Sequence, residues 1–243
     1  MKALILAAGF GSRLAPITND IPKSLVEVNG KSILFKQIEN LYENNITDIT
    51  IISGYKGDIL EKRVKEKFPN ISIIWSSDYQ NTNNMYSAYL ARETLYGEDF
   101  LMMNADVFYD SSVLTELLAF NCPNAIVTDI GTYNEESMKV IEKNGRLVKI
   151  SKQITADEAL GSSIDVYKFS KEGGIAFFEK CKEYIEIKKE LKLWSEVALN
   201  DILDKVDFKA CPLMGRWFEI DNHEDLKNAI QLFKDEPTKS KIK

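Results

Sequence analysis

The chain has 243 residues, 44% of them apolar and 28% charged, enough to bury a sizeable core and too apolar for a disordered protein. Its net charge of −6 excludes a broad electrostatic footprint for nucleic acid, while leaving room for local basic groups that hold a small anion. Cys122, Cys181 and Cys211 lie far apart, without the paired spacing of a zinc site or an even disulfide count, and read as reduced structural thiols.

Residues 2–8 form a short apolar run ending in Gly9 and Gly11, which predicts a buried strand feeding a loop. The run is too short to span a bilayer or serve a secretory signal, so no membrane partner is expected and the location predicted is cytoplasmic. A helix is predicted over 31–44, a strand over 46–53, a helix over 56–68 and a strand over 71–76. Residues 85–95 read as a helix, 99–103 as a strand, 112–120 as a helix with Ser111 or Ser112 as cap, and 124–130 as a strand. This alternation predicts a mostly parallel sheet covered by helices on both faces, with ligands at the carboxyl ends of its strands.

From 138 to 150 the pattern changes to short strands about an Asn144-Gly145 turn, read as a small antiparallel flap. A strand over 162–169, helices over 172–188 and 193–204, strands over 208–212 and 217–220 and a helix over 223–233 follow. Residues 1–234 are expected to form a single domain and 235–243 a disordered, Lys-rich tail.

The most informative segment is Leu6-Ala7-Ala8-Gly9-Phe10-Gly11-Ser12-Arg13-Leu14, followed by Pro22-Lys23-Ser24-Leu25. Glycines let backbone amides approach phosphate oxygens, and Arg13 and Lys23 add positive charge. The spacing matches neither G-x-G-x-x-G nor G-x-x-x-x-G-K-[ST]. Farther on, Asn104-Ala105-Asp106 sets a carboxylate directly after an apolar strand, where a parallel sheet presents its ligand site.

The combination of strand, glycine loop and Pro-Lys-Ser-Leu resembles the sugar-phosphate nucleotidyltransferases, also called nucleoside-diphosphate-sugar pyrophosphorylases. The likeness continues through Val28-Asn29-Gly30-Lys31, Ile46-Thr47-Asp48-Ile49 and Ser53-Gly54-Tyr55-Lys56. It implies an α/β fold, a mostly parallel Rossmann-like mixed sheet flanked by helices, with the antiparallel flap and a helical C-terminal part. It also implies nucleotide contacts from Leu6, Ala8, Gly9, Gly11, Ser12, Arg13 and Lys23, with Arg13, Lys23, Asp106 and Asp221 as the catalytic group. The segment Gly215-Arg216-Trp217-Phe218-Glu219-Ile220-Asp221 is similar to the family's late motif, in which the aspartate joins the first on the metal. Magnesium (Mg2+) on Asp106 and Asp221 is therefore implied, and it needs few carboxylates when phosphate oxygens complete its shell. Ala105 stands where the family usually has glycine, and Ala15 where a basic or larger residue is frequent.

Gln80 to Ser87 is expected to read the base, with Gln80, Asn84 and Ser87 as contacts. Asn83-Asn84-Met85-Tyr86-Ser87 looks like the stretch of the small phosphocholine-type cytidylyltransferases, which implies CTP, and the short length, without hexapeptide repeats, agrees. Acceptor contacts are expected from Glu196, from Trp194 and Tyr133 as aromatic walls, and from Lys152 on the flap. Phosphocholine, an aminoalkylphosphonate, a phosphorylated amino acid and a sugar phosphate are all open as acceptors. A uridylyl-, thymidylyl- or guanylyltransferase acting on sugar 1-phosphates is the first alternative, and a non-catalytic nucleotide-binding regulatory subunit the second. A glycosyltransferase fits less well, since no Asp-x-Asp pair surrounds Asp106. The lone His223 reads as a surface residue, and the oligomeric state, monomer or homodimer, is left open.

Overall fold

In the computed structural model, which describes residues 1–235, β1 (Lys2–Ala7) runs into the glycine loop. Three 3-10 turns (Ser12–Leu14, Ile17–Asn19 and Lys23–Leu25) and a small hairpin of β2 (Glu27–Val28) and β3 (Lys31–Ser32) follow. Next come α1 (Ile33–Glu43), β4 (Ile49–Ser53), α2 (Gly57–Lys67), β5 (Ser72–Trp75), α3 (Asn84–Leu90) and α4 (Arg92–Leu95). The middle of the chain holds β6 (Phe100–Asn104), β7 (Val107–Tyr109), α5 (Ser112–Ala119), β8 (Ala125–Ile130), β9 (Lys139–Lys143) and β10 (Arg146–Ser151). It ends in β11 (Gly161–Phe169), α6 (Lys171–Lys182), α7 (Ser195–Asn200), β12 (Lys209–Pro212), β13 (Trp217–Glu219) and α8 (His223–Leu232). The tail expected from residue 235 lies, from residue 236 onward, outside the described residues.

Successive side chains of a strand point to opposite faces, and β1 shows why this sheet is covered on both. Ala3, Ile5 and Ala7 pack into one core with α1 and α2, while Leu4, Leu6 and Ala8 pack into the other with α3, α6 and α7. Leu101 and Met103 of β6 join the first core, Phe100 and Met102 the second. The main sheet runs β10-β9-β11-β6-β1-β4-β5, with β8 against β11 and β12 against β8. Pairs β1–β4, β1–β6 and β4–β5 are parallel, so the carboxyl ends of β1, β4 and β6 open on one edge.

The second half adds antiparallel strands to this frame. β11 pairs with β6 through Val166 to Phe169 and with β8 on its other edge, with a register break between Ser163 and Tyr167. Asp165 sits in that break with a left-handed φ of 58°. The hairpin of β9 and β10 is antiparallel as its Asn144-Gly145 turn predicts, and both turn residues have positive φ. It is hydrogen-bonded to the main sheet through β11 and so forms its edge.

Several elements end earlier than periodicity suggests. The helix expected over 85–95 breaks at Ala91, and the one over 193–204 is helical only from Ser195 to Asn200. The helix over 172–188 passes into a wider π turn at Glu183–Ile187. Ser111 stands at the N-cap of α5 but its side chain makes no capping bond, and the Ser112 hydroxyl donates to the Met214 carbonyl instead. All three cysteines are buried and free of disulfides. No helix among the described residues is long and apolar enough to cross a membrane.

Candidate active site

The glycine loop is held in shape from below. Gly11 has a φ of 63°, and a Cβ there would lie 2.6 Å from the Lys23 Cβ, so only glycine lets the Lys23 stem pass. The Thr18 hydroxyl donates to the Gly11 carbonyl at 2.9 Å, and Tyr55 N–H donates to the Ala8 carbonyl at 3.2 Å. The Phe10 ring packs on Tyr55 and Tyr79, with centroids 4.9 and 5.2 Å away.

Two distant strands deliver the carboxylates. Asp106 follows β6 in the turn to β7, and β13 pairs antiparallel with β7, Glu219 opposite Val107. That register carries Asp221 back beside Asp106, and the Ile220 N–H donates to the Asp106 carbonyl at 2.9 Å. Arg216 locks the arrangement with Nε and a terminal nitrogen on the two oxygens of Asp110, at 2.9 and 2.8 Å. Burial works against the Asp110 charge, but the Arg216 contacts hold this carboxyl below its ordinary range. Asp225 accepts from the N–H groups of Asp221 and Asn222, fixing the start of α8.

At the centre lies the Lys23 ammonium, 2.9 Å from Asp106 Oδ2 and 2.6 Å from Asp221 Oδ1. Burial alone would lower its pKa, yet the two carboxylates raise it above the ordinary lysine value, so it stays charged. Arg13 reaches the other Asp221 oxygen at 2.9 Å while 62% of its side chain is exposed to incoming ligand. The Asp221 carboxyl, pushed up by burial, is held below its usual range by Lys23 and then Arg13.

Asp106, Glu219 and Asp221 each bring a carboxylate oxygen within 4.8 Å of the others. Asp106 Oδ1 is buried with no hydrogen-bond partner among the described residues. An all-oxygen donor set with one orphaned carboxylate oxygen, already accommodating a positive charge in Lys23, fits a hard divalent cation with few protein ligands. Glu219 is pushed up to about 9, by burial first and then by Asp106, Asp165 and Asp221. Unlike its two neighbours it has no cation at hydrogen-bond distance among the described residues.

These groups open on a cavity of about 280 Å³. Of the residues expected from the sequence, Leu6, Ala8, Gly9, Arg13, Asn84, Ser87, Asp106, Lys152, Trp194, Glu196 and Asp221 line it. Gly11, Ser12 and Lys23 are not on its wall; Lys23 acts from behind the two aspartates. Gln80 and Tyr133 are not on its wall either. Gln80 is exposed and bonds the Tyr79 hydroxyl at 3.4 Å, while Tyr79 and Thr82 on either side line the cavity. Tyr133 is 45% exposed outside it, its ring 5.1 Å from Lys139 Nζ. Asn84 lines the cavity, but its side-chain oxygen accepts from Ser195 N–H at 2.8 Å, tying the start of α3 to α7. Lys152 Nζ stands 5.0 Å from the centre of the Trp194 ring. His223 is exposed, its Nε2 2.7 Å from the Ala15 carbonyl oxygen.

Sequence reasoning passed over Glu219, Asp165, Asn104 and Tyr79. Glu219 ends β13 two residues before Asp221, a spacing that in extended chain puts both on one side and could have singled it out. Asp165 is a carboxylate inside an apolar strand, a rare position that signals function or strain. It is pushed up to about 7, by burial first and then by Glu196 and Asp106.

A nucleotidyl transferase family model matches residues 2–139 of the chain. The chain belongs to the nucleotidyl transferase family. The CTP:phosphoglutamine cytidylyltransferase of Campylobacter jejuni is 30% identical over 95% of this chain and 100% of its own length. The choline-phosphate cytidylyltransferase of Streptococcus pneumoniae is 46% identical over 39% of this chain and 41% of its own. The solved structure of CTP:phosphocholine cytidylyltransferase from Streptococcus pneumoniae aligns with a TM-score of 0.78 at 25% identity, covering 96% of this chain and 98% of that one. As a member of this family the chain is a nucleotidyltransferase enzyme; the family typically uses a divalent metal, and the chain holds an acidic cluster of the kind that could bind one.

Proposed function

We propose that this enzyme is a cytidylyltransferase, moving CMP from CTP onto a small phosphorylated or phosphonate acceptor with release of pyrophosphate. The observation that carries the chemistry is the Lys23 ammonium bridging Asp106 and Asp221 at the mouth of the glycine loop, with Arg13 alongside. The choice of CTP is supported by the two cytidylyltransferase relatives and by the Asn83-Asn84-Met85-Tyr86-Ser87 stretch at the cavity.

An acceptor phosphate or phosphonate oxygen is already an anion, so the reaction needs alignment and charge neutralisation more than a general base. That oxygen attacks the α-phosphorus in line, a new P–O bond forms, the bond to the β-phosphate breaks, and pyrophosphate leaves with the electron pair. The loop amides around Gly9 and Gly11 hold the phosphates, and Arg13 and Lys23 offset the charge that accumulates on the departing group. Asp106 and Asp221, with Glu219 beside them, would hold Mg2+, which supplies Lewis-acid neutralisation of phosphate oxygens. Asn84 and Ser87 face the base. His223, occupied at Ala15, has no part in the transfer.

The test is pyrophosphate release with magnesium and each of CTP, UTP, dTTP, GTP and ATP, against phosphocholine, aminoethylphosphonate, phosphorylated amino acids and sugar 1-phosphates. CTP-selective release is expected, falling by about 10²-fold or more in Asp106→Asn and Asp221→Asn. Selective use of UTP or dTTP with a sugar phosphate would sink the cytidylyl reading.

A further inference from the structure

The cavity wall formed by β11 and α7 carries ionisable groups for which transfer at the α-phosphorus has no use. The Tyr167 hydroxyl, on a fully buried side chain, lies 2.8 Å from Asp165 Oδ1 and 2.8 Å from Glu196 Oε1. A phenol has one hydrogen, so once Asp165 has given up its proton it donates to one of these carboxylates and leaves the other short. Asn104 Nδ2 donates to the second Asp165 oxygen at 2.9 Å. Glu196 has no such second donor. It is only 3% exposed, it lines the cavity, and its sole hydrogen-bond partner among the described residues is Tyr167. A carboxylate so deeply buried and short of a donor is strongly unfavourable until something supplies a hydrogen.

The nearby lysines do not supply it. Lys152 Nζ sits 5.0 Å from the Trp194 ring centre, and Lys139 Nζ sits 5.1 Å from that of Tyr133 while donating to the Glu135 carbonyl. The Lys152 contact takes up a face of the Trp194 ring, on which a trimethylammonium group would otherwise rest, and Tyr133 lies outside the cavity.

We infer that Asp165 and Glu196, joined by Tyr167, form the subsite for the end of the acceptor remote from its phosphate, and that this end is a primary ammonium rather than a quaternary one. The inference rests on the reading of the enzyme as a transferase to a small phosphorylated acceptor. A primary ammonium brings both the positive charge that two carboxylates attract and the N–H donor that Glu196 lacks. A trimethylammonium brings the charge alone, and its methyl groups face an oxygen that needs a hydrogen.

The experiment uses phosphoethanolamine and its mono-, di- and trimethyl derivatives, the last being phosphocholine. Calorimetric binding of each to the full chain is measured beside CTP-dependent pyrophosphate release from each. Affinity is expected to fall stepwise, by about tenfold or more from the primary to the quaternary amine, the value of a charged hydrogen bond. Glu196→Gln, checked for folding by circular dichroism, is expected to flatten that series to within about threefold. A wild-type series that is flat or rises with methylation overturns the inference, as does a Glu196→Gln variant that keeps the full slope. The expected binding series without CTP-dependent release supports the subsite while removing the cytidylyl reading. Release with CTP from sugar phosphates, with no amine bound, overturns the subsite and leaves the transferase.

Discussion

Replacing Lys23 by methionine keeps the apolar stem of the side chain and removes the ammonium that lies 2.9 Å from Asp106 and 2.6 Å from Asp221. Asp106 and Asp221, with Glu219 beside them, would then face one another with, among the described residues, only the exposed Arg13 at ion-pair distance to offset them. A pair of unit charges at about 4 Å is worth roughly 4 kcal/mol at an effective dielectric of 20, before the cost of desolvating them. Deleting one partner of a buried pair costs about 3–5 kcal/mol in proteins. The aspartate side chains are 25% and 24% exposed, which places this change at the lower bound, about 3 kcal/mol. For a chain of this size that is a drop of roughly 6–12 °C in Tm. The same carboxylates are the proposed magnesium ligands, so the cation should repair the loss: at about 100 times its Kd, binding contributes about 2.7 kcal/mol. In the wild type it must compete with the lysine and stabilises less. Thermal unfolding followed by circular dichroism, with and without magnesium and with sodium chloride at matched ionic strength, reads both effects. A metal-free variant melting within about 2 °C of wild type, or an equal magnesium shift in both proteins, would refute the electrostatic account of this site.

Gly11→Ala puts a Cβ 2.6 Å from the Lys23 Cβ at a φ of 63°, and is expected to lower stability by about 1–2 kcal/mol and to reduce turnover more than a surface change does; equilibrium urea unfolding and initial rates check it. Asp165 at about 7 and Glu219 at about 9 both lie above the ordinary carboxylate value near 4, so across that interval the unfolded chain releases protons that the folded chain keeps. Their stabilising contribution is therefore full below about pH 4 and is lost as pH rises toward 7 and then 9. The Tm of the metal-free protein, compared with an Asp165→Asn, Glu219→Gln double variant, should fall more steeply over that range. Asn84→Ala removes the acceptor of the Ser195 N–H at 2.8 Å and is expected to cost about 1 kcal/mol and to blunt discrimination between CTP and UTP, measured as a ratio of kcat/KM.

Much of the fold was legible because its signals are local. The apolar run of β1, the alternation of strand and helix through β8 and the Asn144-Gly145 turn each state their structure over a few residues. Element lengths were less legible, and the late start of α7 follows from what packs around it: Asn84 bonds into its first residue, and the loop before it pairs back onto Asn83 and Met85. Two residues expected near the cavity are off its wall for a related reason. Gln80 and Tyr133 have the right chemistry, but a loop's direction depends on the elements it joins, and both side chains lie away from the cavity wall.

The sequence by itself determined the parts: a strand feeding a glycine loop, the lysine ten residues after Arg13, and two acidic motifs 115 residues apart. A glycine's freedom, a strand's period and a charged group's affinity for phosphate are properties of short segments, so they can be read without a fold. Only the tertiary structure decided that Lys23 would lie between Asp106 and Asp221, because the β13–β7 register sets that meeting and pairing register is a long-range property. It likewise decided that Asp165, Tyr167 and Glu196 share one phenolic proton, since their grouping depends on a break in β11 facing α7. Burial, which shifts the charge of these groups, exists only once the two cores have closed over the sheet.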